Sequence, residues 1–285
     1  MAPDDGALTA FRHYHLQHRF VSWLSRNLFC QVHYKQRHGL IRGMKRKGGL
    51  GFLPRRALTR EEVFFESLPL QGKTVYDIGA FEGLLTLFFA RRADRVVAFE
   101  PNPANAVRCV ENLKLNALAN VRLVEEGVSD QPGEAVLNID LAMPGGGSAH
   151  PLIGRQIQIQ SRHTQSIPIR VLPLDEHFAQ KRLPPPDLVK IDIEGLEYVA
   201  LCGMRSILER RHPDLYIELH GATLEEKIAN YSLVFGFLDE YGYSIYDVER
   251  GVTCEAPGET CPSHIFCAAS QSVRKVNTVQ RTAEA

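Results

Sequence analysis

The chain has 285 residues, 44% apolar and 23% charged, with 33 basic side chains against 33 acidic ones. That length can bury a full core and suits one α/β domain with extensions. Six sparse cysteines exclude a disulfide scaffold, and no apolar run approaches the ~20 residues a bilayer span needs.

The N-terminus lacks a secretory apolar core with a small-residue cleavage site, so a reduced, cytoplasmic protein is expected. The zero net charge hides an asymmetry. Residues 6–60 hold twelve Lys/Arg and no Asp or Glu, whereas residues 61–285 hold 21 Lys/Arg against 31 Asp/Glu. Within residues 1–58, Phe11, His15, His18, Val21, Trp23, Leu24, Leu28 and Phe29 recur at roughly helical spacing, with Arg12, Arg19 and Arg26 interleaved. This predicts a basic helical extension packed on an acidic body. Arg42-Gly43-Met44-Lys45-Arg46-Lys47-Gly48-Gly49 reads as a flexible basic loop. Residues 12–60 suit a solvated cap, and they equally suit a contact to an anionic substrate, nucleic acid or a membrane surface. Arg46 and Lys47 are the first residues to neutralise in separating these readings.

Thr59-Arg60-Glu61-Glu62 matches a capping box and opens the main domain, expected over residues 59–270, with a disordered tail over 271–285. Strand 74–79 then runs through Val75-Tyr76-Asp77-Ile78-Gly79 into a turn, Ala80-Phe81-Glu82-Gly83, and a helix over 83–92. Glycines there let the backbone approach a ligand closely or take positive φ. Strand 95–100 ends in Glu100, placed where a carboxylate can hold a ribose diol. A dinucleotide fingerprint would carry glycine where Asp77 stands, and a carboxylate there repels pyrophosphate. An acid-x-Gly-x-x-x-Gly turn instead suits a ligand with a cationic amino-acid head, such as S-adenosyl-L-methionine.

Helix 103–116, strand 121–124, the polar run Glu126-Gly127-Val128-Ser129-Asp130 and a short strand over 134–139 follow. This alternation predicts a mostly parallel sheet with helices on both faces. Residues 143–166, turn-rich around Gly145-Gly146-Gly147, interrupt it as either a lid or a surface excursion. An extended run over 167–174 leads to a helix starting at Asp175. In Asp187-Leu188-Val189-Lys190-Ile191-Asp192-Ile193-Glu194-Gly195, acids inside an apolar run are costly unless paired or at a solvent-reaching strand end. A Lys190–acid pair would explain them structurally; a functional reading places Asp192 and Glu194 beside the reacting centre. Leu215-Tyr216-Ile217-Glu218-Leu219-His220-Gly221 repeats the design, with His220 able to accept a proton at neutral pH or to be a satisfied structural histidine. Cys254, Cys261, His264 and Cys267 contain no C-x-x-C, and Cys267 sits in a terminal-strand pattern, so no metal is expected.

Val75–Gly83, Phe99-Glu100-Pro101-Asn102-Pro103, Asn112-Leu113-Lys114-Leu115-Asn116, Lys190–Glu197 and Glu218-Leu219-His220 together resemble the FkbM family of S-adenosylmethionine-dependent methyltransferases, over about residues 60–270. The resemblance implies a class I methyltransferase fold: a seven-stranded, mostly parallel α/β sheet with one antiparallel strand near the C-terminus. It implies a cofactor site of Asp77, Gly79, Ala80, Glu82, Gly83, Glu100, Pro101, Asn102, Glu126, Gly127, Val128 and Asp192. In it the 77–83 turn cradles the methionine part, Glu100 binds the ribose and Glu126–Val128 line the adenine pocket. Asp192 then lies beside both sulfonium and acceptor. Phe81 departs from the family's usual small or amide residue.

The family implies O-methylation of a small-molecule or sugar hydroxyl, with His220 or Asp192 as proton acceptor and Glu194 orienting. No Asn-Pro-Pro-Tyr run follows the strand at 188–193, which argues against adenine or glutamine N-methylation, and no Pro-Cys nucleophile serves cytosine C5 chemistry. A methyltransferase recruited to an anionic macromolecule or membrane, or a cofactor-binding domain without activity, remain the alternatives.

Overall fold

A computed structural model describes residues 30–49, 58–141, 147–161, 163–258 and 261–269. The helices expected within residues 1–29, the glycine run at 143–146 and the tail 271–285 lie outside them. The described part of the extension is not helical. His33–Lys35 (β1) and Lys45–Lys47 (β2) form an antiparallel hairpin, with Lys35 opposite Lys45 and His33 opposite Lys47. Glycines at both ends of the 42–49 run, Gly43, Gly48 and Gly49, all take positive φ, which lets the basic loop fold back as a strand.

The capping box forms as expected. Thr59 accepts from the Glu62 amide, and Glu62 accepts from the Thr59 amide, starting helix α1 at Arg60–Ser67. Phe64 and Phe65 of α1 are fully buried against the sheet, Phe64 5.0 Å from Phe266 and Phe65 4.4 Å from Tyr216 between ring centroids. Each such aromatic pair contributes about 0.5–1.5 kcal/mol beyond its buried area.

The main sheet is built from Thr74–Ile78 (β3), Arg95–Phe99 (β4), Val121–Val124 (β5), Leu188–Ile191 (β10), Asp214–Glu218 (β11), Tyr243–Asp247 (β12), Val252–Cys254 (β13) and His264–Ala269 (β14). Their order is β13-β12-β14-β11-β10-β3-β4-β5. The five strands from β5 to β11 are parallel, and β14 runs antiparallel between β11 and β12. The expected seven strands with one antiparallel member are therefore present. The sheet nonetheless has eight, because β13 adds a short antiparallel strand beyond β12.

Successive residues of each central strand face opposite sides. Val75, Val96, Leu188 and Tyr216 pack with α1, with α2 (Leu84–Arg92) and with α3 (Pro103–Leu115) on one face. On the other, Tyr76, Ile78, Val189 and Ile217 pack with Leu174–Gln180 (α5), Glu197–Cys202 (α6), Arg205–Arg211 (α7) and Leu224–Glu240 (α8). The chain goes from β3 outward to β4 and β5, then returns to β10 on the other side of β3. That reversal opens a crevice at the carboxyl ends of β3 and β10, where open α/β sheets bind ligands.

A second sheet, ordered β6-β9-β7-β8, stands beside the crevice: Gly127–Ser129 (β6), Gly133–Asp140 (β7), Gly147–Ser148 (β8) and Thr164–Pro173 (β9). The stretch expected as a lid or excursion over 143–166 is, where described, ordered structure. It contains β8, the helix Pro151–Gln160 (α4) and the start of β9. Pro151 at the first helical position was the sequence signal for α4. Among the described residues, no helix is long and apolar enough to cross a membrane.

Candidate active site

The turn after β3 is shaped by three left-handed residues at alternate positions: Gly79 (φ 80°), Phe81 (φ 52°) and Gly83 (φ 81°). Gly79 admits no side chain, since a Cβ there would lie 1.8 Å from the Asp192 carbonyl oxygen. A Cβ on Gly83 would come within 2.6 Å of the Cys109 sulfur. The Gly79 and Ala80 amides both donate to the Phe99 carbonyl, each at 3.0 Å, and the Phe81 amide donates to Glu100 Oε2 at 2.7 Å. Glu100 Oε1 accepts from the Asn102 amide at 2.9 Å. Burial raises the Glu100 pKa, while the Asn102 and Phe81 amides work against the rise. The strained Phe81 backbone is thus held by the same carboxylate expected to meet the ribose.

A cavity of about 410 Å³ opens over this turn. Gly79, Phe81, Glu100, Pro101 and Asn102 form one side, Glu126, Gly127 and Val128 another, and Asp192 and Glu194 a third. Ala135, Leu137, Ile169 and Val171 of the second sheet complete it as an apolar wall that the sequence reading did not assign. Four other expected cofactor residues stand behind the cavity. Asp77 is fully buried, with Oδ2 accepting from Thr86 Oγ1 at 2.6 Å and Oδ1 3.4 Å from Lys190 Nζ. Ala80 is buried, Gly83 caps α2, and Glu82 points away to Arg46 at 3.3 Å.

Glu126 is surrounded by cations, with Lys181 Nζ at 3.0 Å and Arg170 Nη1 at 3.3 Å. His177 Nδ1 lies 3.5 Å away, and burial pushes the His177 pKa down, so the ring is neutral. Its Nε2 reaches the Gly127 carbonyl at 3.1 Å, which ties β6 to α5.

The ends of β10 and β11 hold the charged cluster. Lys190, paired in register with Asp77, is 2% exposed and sets Nζ 3.0 Å from Asp192 Oδ2 and 3.0 Å from the Gly79 carbonyl. The Lys190–acid pair of the sequence reading is therefore present, and it also stabilises the glycine turn. Asp192 follows the last strand residue, and burial raises its pKa against the pull of Lys190. Glu194 sits at φ 55°, its carbonyl accepting from Ser148 Oγ at 2.7 Å. Burial moves the Glu194 carboxyl up to about 7, although His220 pulls it down.

His220 does not line the cavity; it stands behind the carboxylates. Its Nδ1 meets the wholly buried Glu197 at 3.1 Å, and its Nε2 lies 3.3 Å from Glu218, 3.7 Å from Glu194 and 4.0 Å from Asp192. Burial disfavours charge on the ring, but these carboxylates, Glu194 foremost, raise its pKa well above the ordinary value. His220 is thus an imidazolium at neutral pH. Glu197, to which the sequence reading gave no role, also accepts from the Gly195 amide at 2.9 Å and from Asn230 Nδ2 at 2.6 Å. Glu218 reaches on to His264, whose pKa rises to about 10 under the influence of Glu218 and Glu249 despite burial.

Among the described residues, two sets, Asp192–Glu218–His220 and Glu61–Glu218–His264, bring three potential metal ligands within 4.8 Å of one another. The surrounding carboxylates raise the pKa of both histidines, so a metal at either set would have to displace a ring proton.

Residues 77–245 match the Methyltransferase FkbM domain. Among solved structures, the chain is similar to the methyltransferase FkbM of Methylobacillus flagellatus KT at 19% identity and a TM-score of 0.47. That match covers 73% of this chain and 48% of the other, so the chain spans about half of that protein's length. It is also similar to SMU.1697c of Streptococcus mutans in complex with SAH, at 14% identity and a TM-score of 0.43, covering 76% and 99% of the two chains. Cofactor-bound Rv0187 from MTB follows at 17% and 0.44, covering 76% and 83%. No curated protein matches the chain. The domain match covers more than half of the sequence: the chain belongs to the FkbM family of methyltransferases.

Proposed function

We propose that this chain methylates a hydroxyl group on a small molecule or glycan, with the Glu194 carboxylate as proton acceptor. The observation that carries this reading is the half-buried Glu194 carboxyl in the same cavity as Glu100 and Asp192, where desolvation moves its pKa up to about 7. A general base works best when its pKa lies near the operating pH.

The cavity suits the cofactor. Gly79 brings bare backbone to the cavity wall because the Asp192 carbonyl occupies the place of a Cβ, Glu100 offers a fixed carboxylate for a diol, and the volume lies within the usual ~300–1,000 Å³ of small-molecule sites. Gly79, Glu100, Pro101, Asn102, Glu126, Gly127, Val128 and Asp192 are the residues that would hold it. Asp77, Ala80, Glu82 and Gly83 would shape the turn from behind. When bound, S-adenosylmethionine supplies a methyl group on a sulfonium, open to in-line attack by an oxygen nucleophile.

The protein's own part is positioning and proton removal. Glu194 takes the hydroxyl proton, Asp192 lies beside it paired with Lys190, and the Lys190 and His220 cations orient both acids and oppose the rise that burial causes in their pKa. His220, anticipated as a base, acts instead as a positioning cation through Glu194, Glu197 and Glu218. Glu194, anticipated as orienting, becomes the base.

The test is transfer of labelled methyl from S-adenosylmethionine to a panel of hydroxyl acceptors, with donor binding measured in parallel by calorimetry. Transfer to hydroxyl acceptors that is lost in Glu194→Gln supports the reading. Donor binding without transfer to any hydroxyl, or transfer only to nitrogen acceptors, would sink it.

A further inference from the structure

The Arg46–Lys47 pair, left open by the sequence between a solvated cap and a contact to an anionic partner, is engaged inside the protein. Asn112 in the last turn of α3 and Asn116, its C-cap, stand four residues apart, and Lys45 and Lys47 stand two apart on one edge of β2. Asn116 accepts from the Lys45 amide and donates to the Lys45 carbonyl, both at 2.7 Å. Asn112 Oδ1 accepts from the Lys47 amide at 2.9 Å. The two side-chain amides thus stand in for a neighbouring strand, and this is the structural use of the Asn112–Asn116 spacing.

Asn112 is fully buried, and its other end, Nδ2, donates to the Glu82 carbonyl at 2.8 Å. The Glu82 side chain in turn pairs with Arg46 at 3.3 Å, with exposures of only 18% and 13%. Arg46 lies flat over Gly49, where a Cβ would come within 2.4 Å of its guanidinium. Lys47 Nζ binds Glu111 at 2.8 Å, which seats the strand from a second side. Two independent routes from the hairpin therefore converge on Glu82. Glu82 lies in the turn that carries the left-handed Gly79, Phe81 and Gly83 and lines the cavity with Gly79 and Phe81. Such a backbone persists only where its surroundings over-determine it.

We propose that the hairpin β1–β2 is a positioning element of the donor site: Arg46 and Asn112 hold Glu82, and through it the 79–83 turn, in donor-binding shape. The inference rests on the reading of the cavity as the donor site. It extends the working machinery to residues 30–49, ahead of the family-matched region. It also makes Arg46 an internal clamp rather than a landing site for nucleic acid or membrane.

The experiment uses the full chain with Arg46→Ala, Arg46→Lys, Glu82→Gln and the Arg46→Ala/Glu82→Gln double variant. It reads S-adenosylmethionine affinity by calorimetry and steady-state kinetics with both substrates. Arg46→Ala is expected to weaken donor binding on the order of three- to tenfold, the effect of losing one charge-assisted contact. The loss should fall on donor KM, with acceptor KM and kcat at saturating donor retained. Arg46→Lys should recover part of it, and the double variant should be no worse than the stronger single one. Wild-type donor affinity in Arg46→Ala overturns the inference alone, as does a loss that falls on acceptor KM. A wild-type chain that binds no donor overturns the cavity reading and the inference together.

Discussion

His220 faces Glu197 at 3.1 Å through Nδ1, and Glu197 is the only one of its four carboxylate partners with no solvent exposure at all. The ring is thus the counter-ion of an acidic pocket. His220→Ala should destabilise the fold by about 3 kcal/mol, the scale for leaving buried carboxylates uncompensated. Because the folded pKa of His220 is raised, its stabilisation is full below the ordinary histidine value and is lost only as pH rises through the folded one. Denaturant unfolding of both proteins at pH 6 and in alkali should show the difference at pH 6 and its narrowing in alkali.

Glu194 has the opposite consequence for activity. With a pKa of about 7, it accepts a proton only as the pH rises through that value. kcat should climb with pH across an acidic limb centred near 7. Glu194→Gln should lower kcat by about 10²–10⁴ and abolish the limb. A raised carboxyl pKa also means stability lost between about pH 4.5 and 7, so Glu194→Gln should be the more stable protein at pH 8. About 1 kcal/mol is expected after allowing for solvent at its partly exposed side chain.

Glu100 joins donor recognition to backbone geometry, since its oxygens already hold the Phe81 and Asn102 amides. Glu100→Ala should weaken S-adenosylmethionine binding by about 10- to 100-fold, with lost ligand contacts and a loosened turn acting together. Calorimetry with the variant checks this, and unchanged affinity would remove Glu100 from the site.

Gly79→Ala tests the close approach of β3 and β10. A Cβ placed 1.8 Å from the Asp192 carbonyl, at positive φ, forces the two strand ends apart. We expect a loss of about 2–4 kcal/mol in stability, with donor binding abolished. Thermal unfolding and calorimetry measure the two effects separately.

Chelation should change nothing. With the pKa of His220 raised and that of His264 at about 10, a divalent cation would have to displace a ring proton to bind either His–carboxylate set at neutral pH. Methyl transfer measured with and without EDTA, and after added divalent ions, should be equal. A metal-dependent rate would show that His220 is neutral in the working enzyme.

Local sequence carried much of the fold. The Thr59–Glu62 capping box, the short apolar runs of β3, β4 and β10, the proline at the start of α3 and the glycines of the 79–83 turn each act over a few residues. They specify strand, helix and turn without distant partners. The eighth strand, the second sheet and the hairpin at 33–47 were not legible in this way. The second sheet and the seat of the hairpin depend on residues remote in sequence, as Gly127 does on Val171 and Lys47 on Asn112, and β13 is only three residues long, too short to show a period.

The same division applies to the site. Residue types by themselves determined that acids and glycines would gather at the ends of β3, β4, β10 and β11, because such residues are costly or strained anywhere else in a parallel sheet. How easily each acid gives up its proton depends on tertiary structure. Burial and neighbouring charge set a pKa, and the residues that set those of Glu194 and His220 come from β10, α6, β11 and the loops between them. Asp77 and Arg46 show the same reason at work. Asp77 was expected at a ligand and Arg46 was left open between a solvated cap and an anionic partner; the fold turns each toward an internal partner, Thr86 and Glu82, in support of the turn.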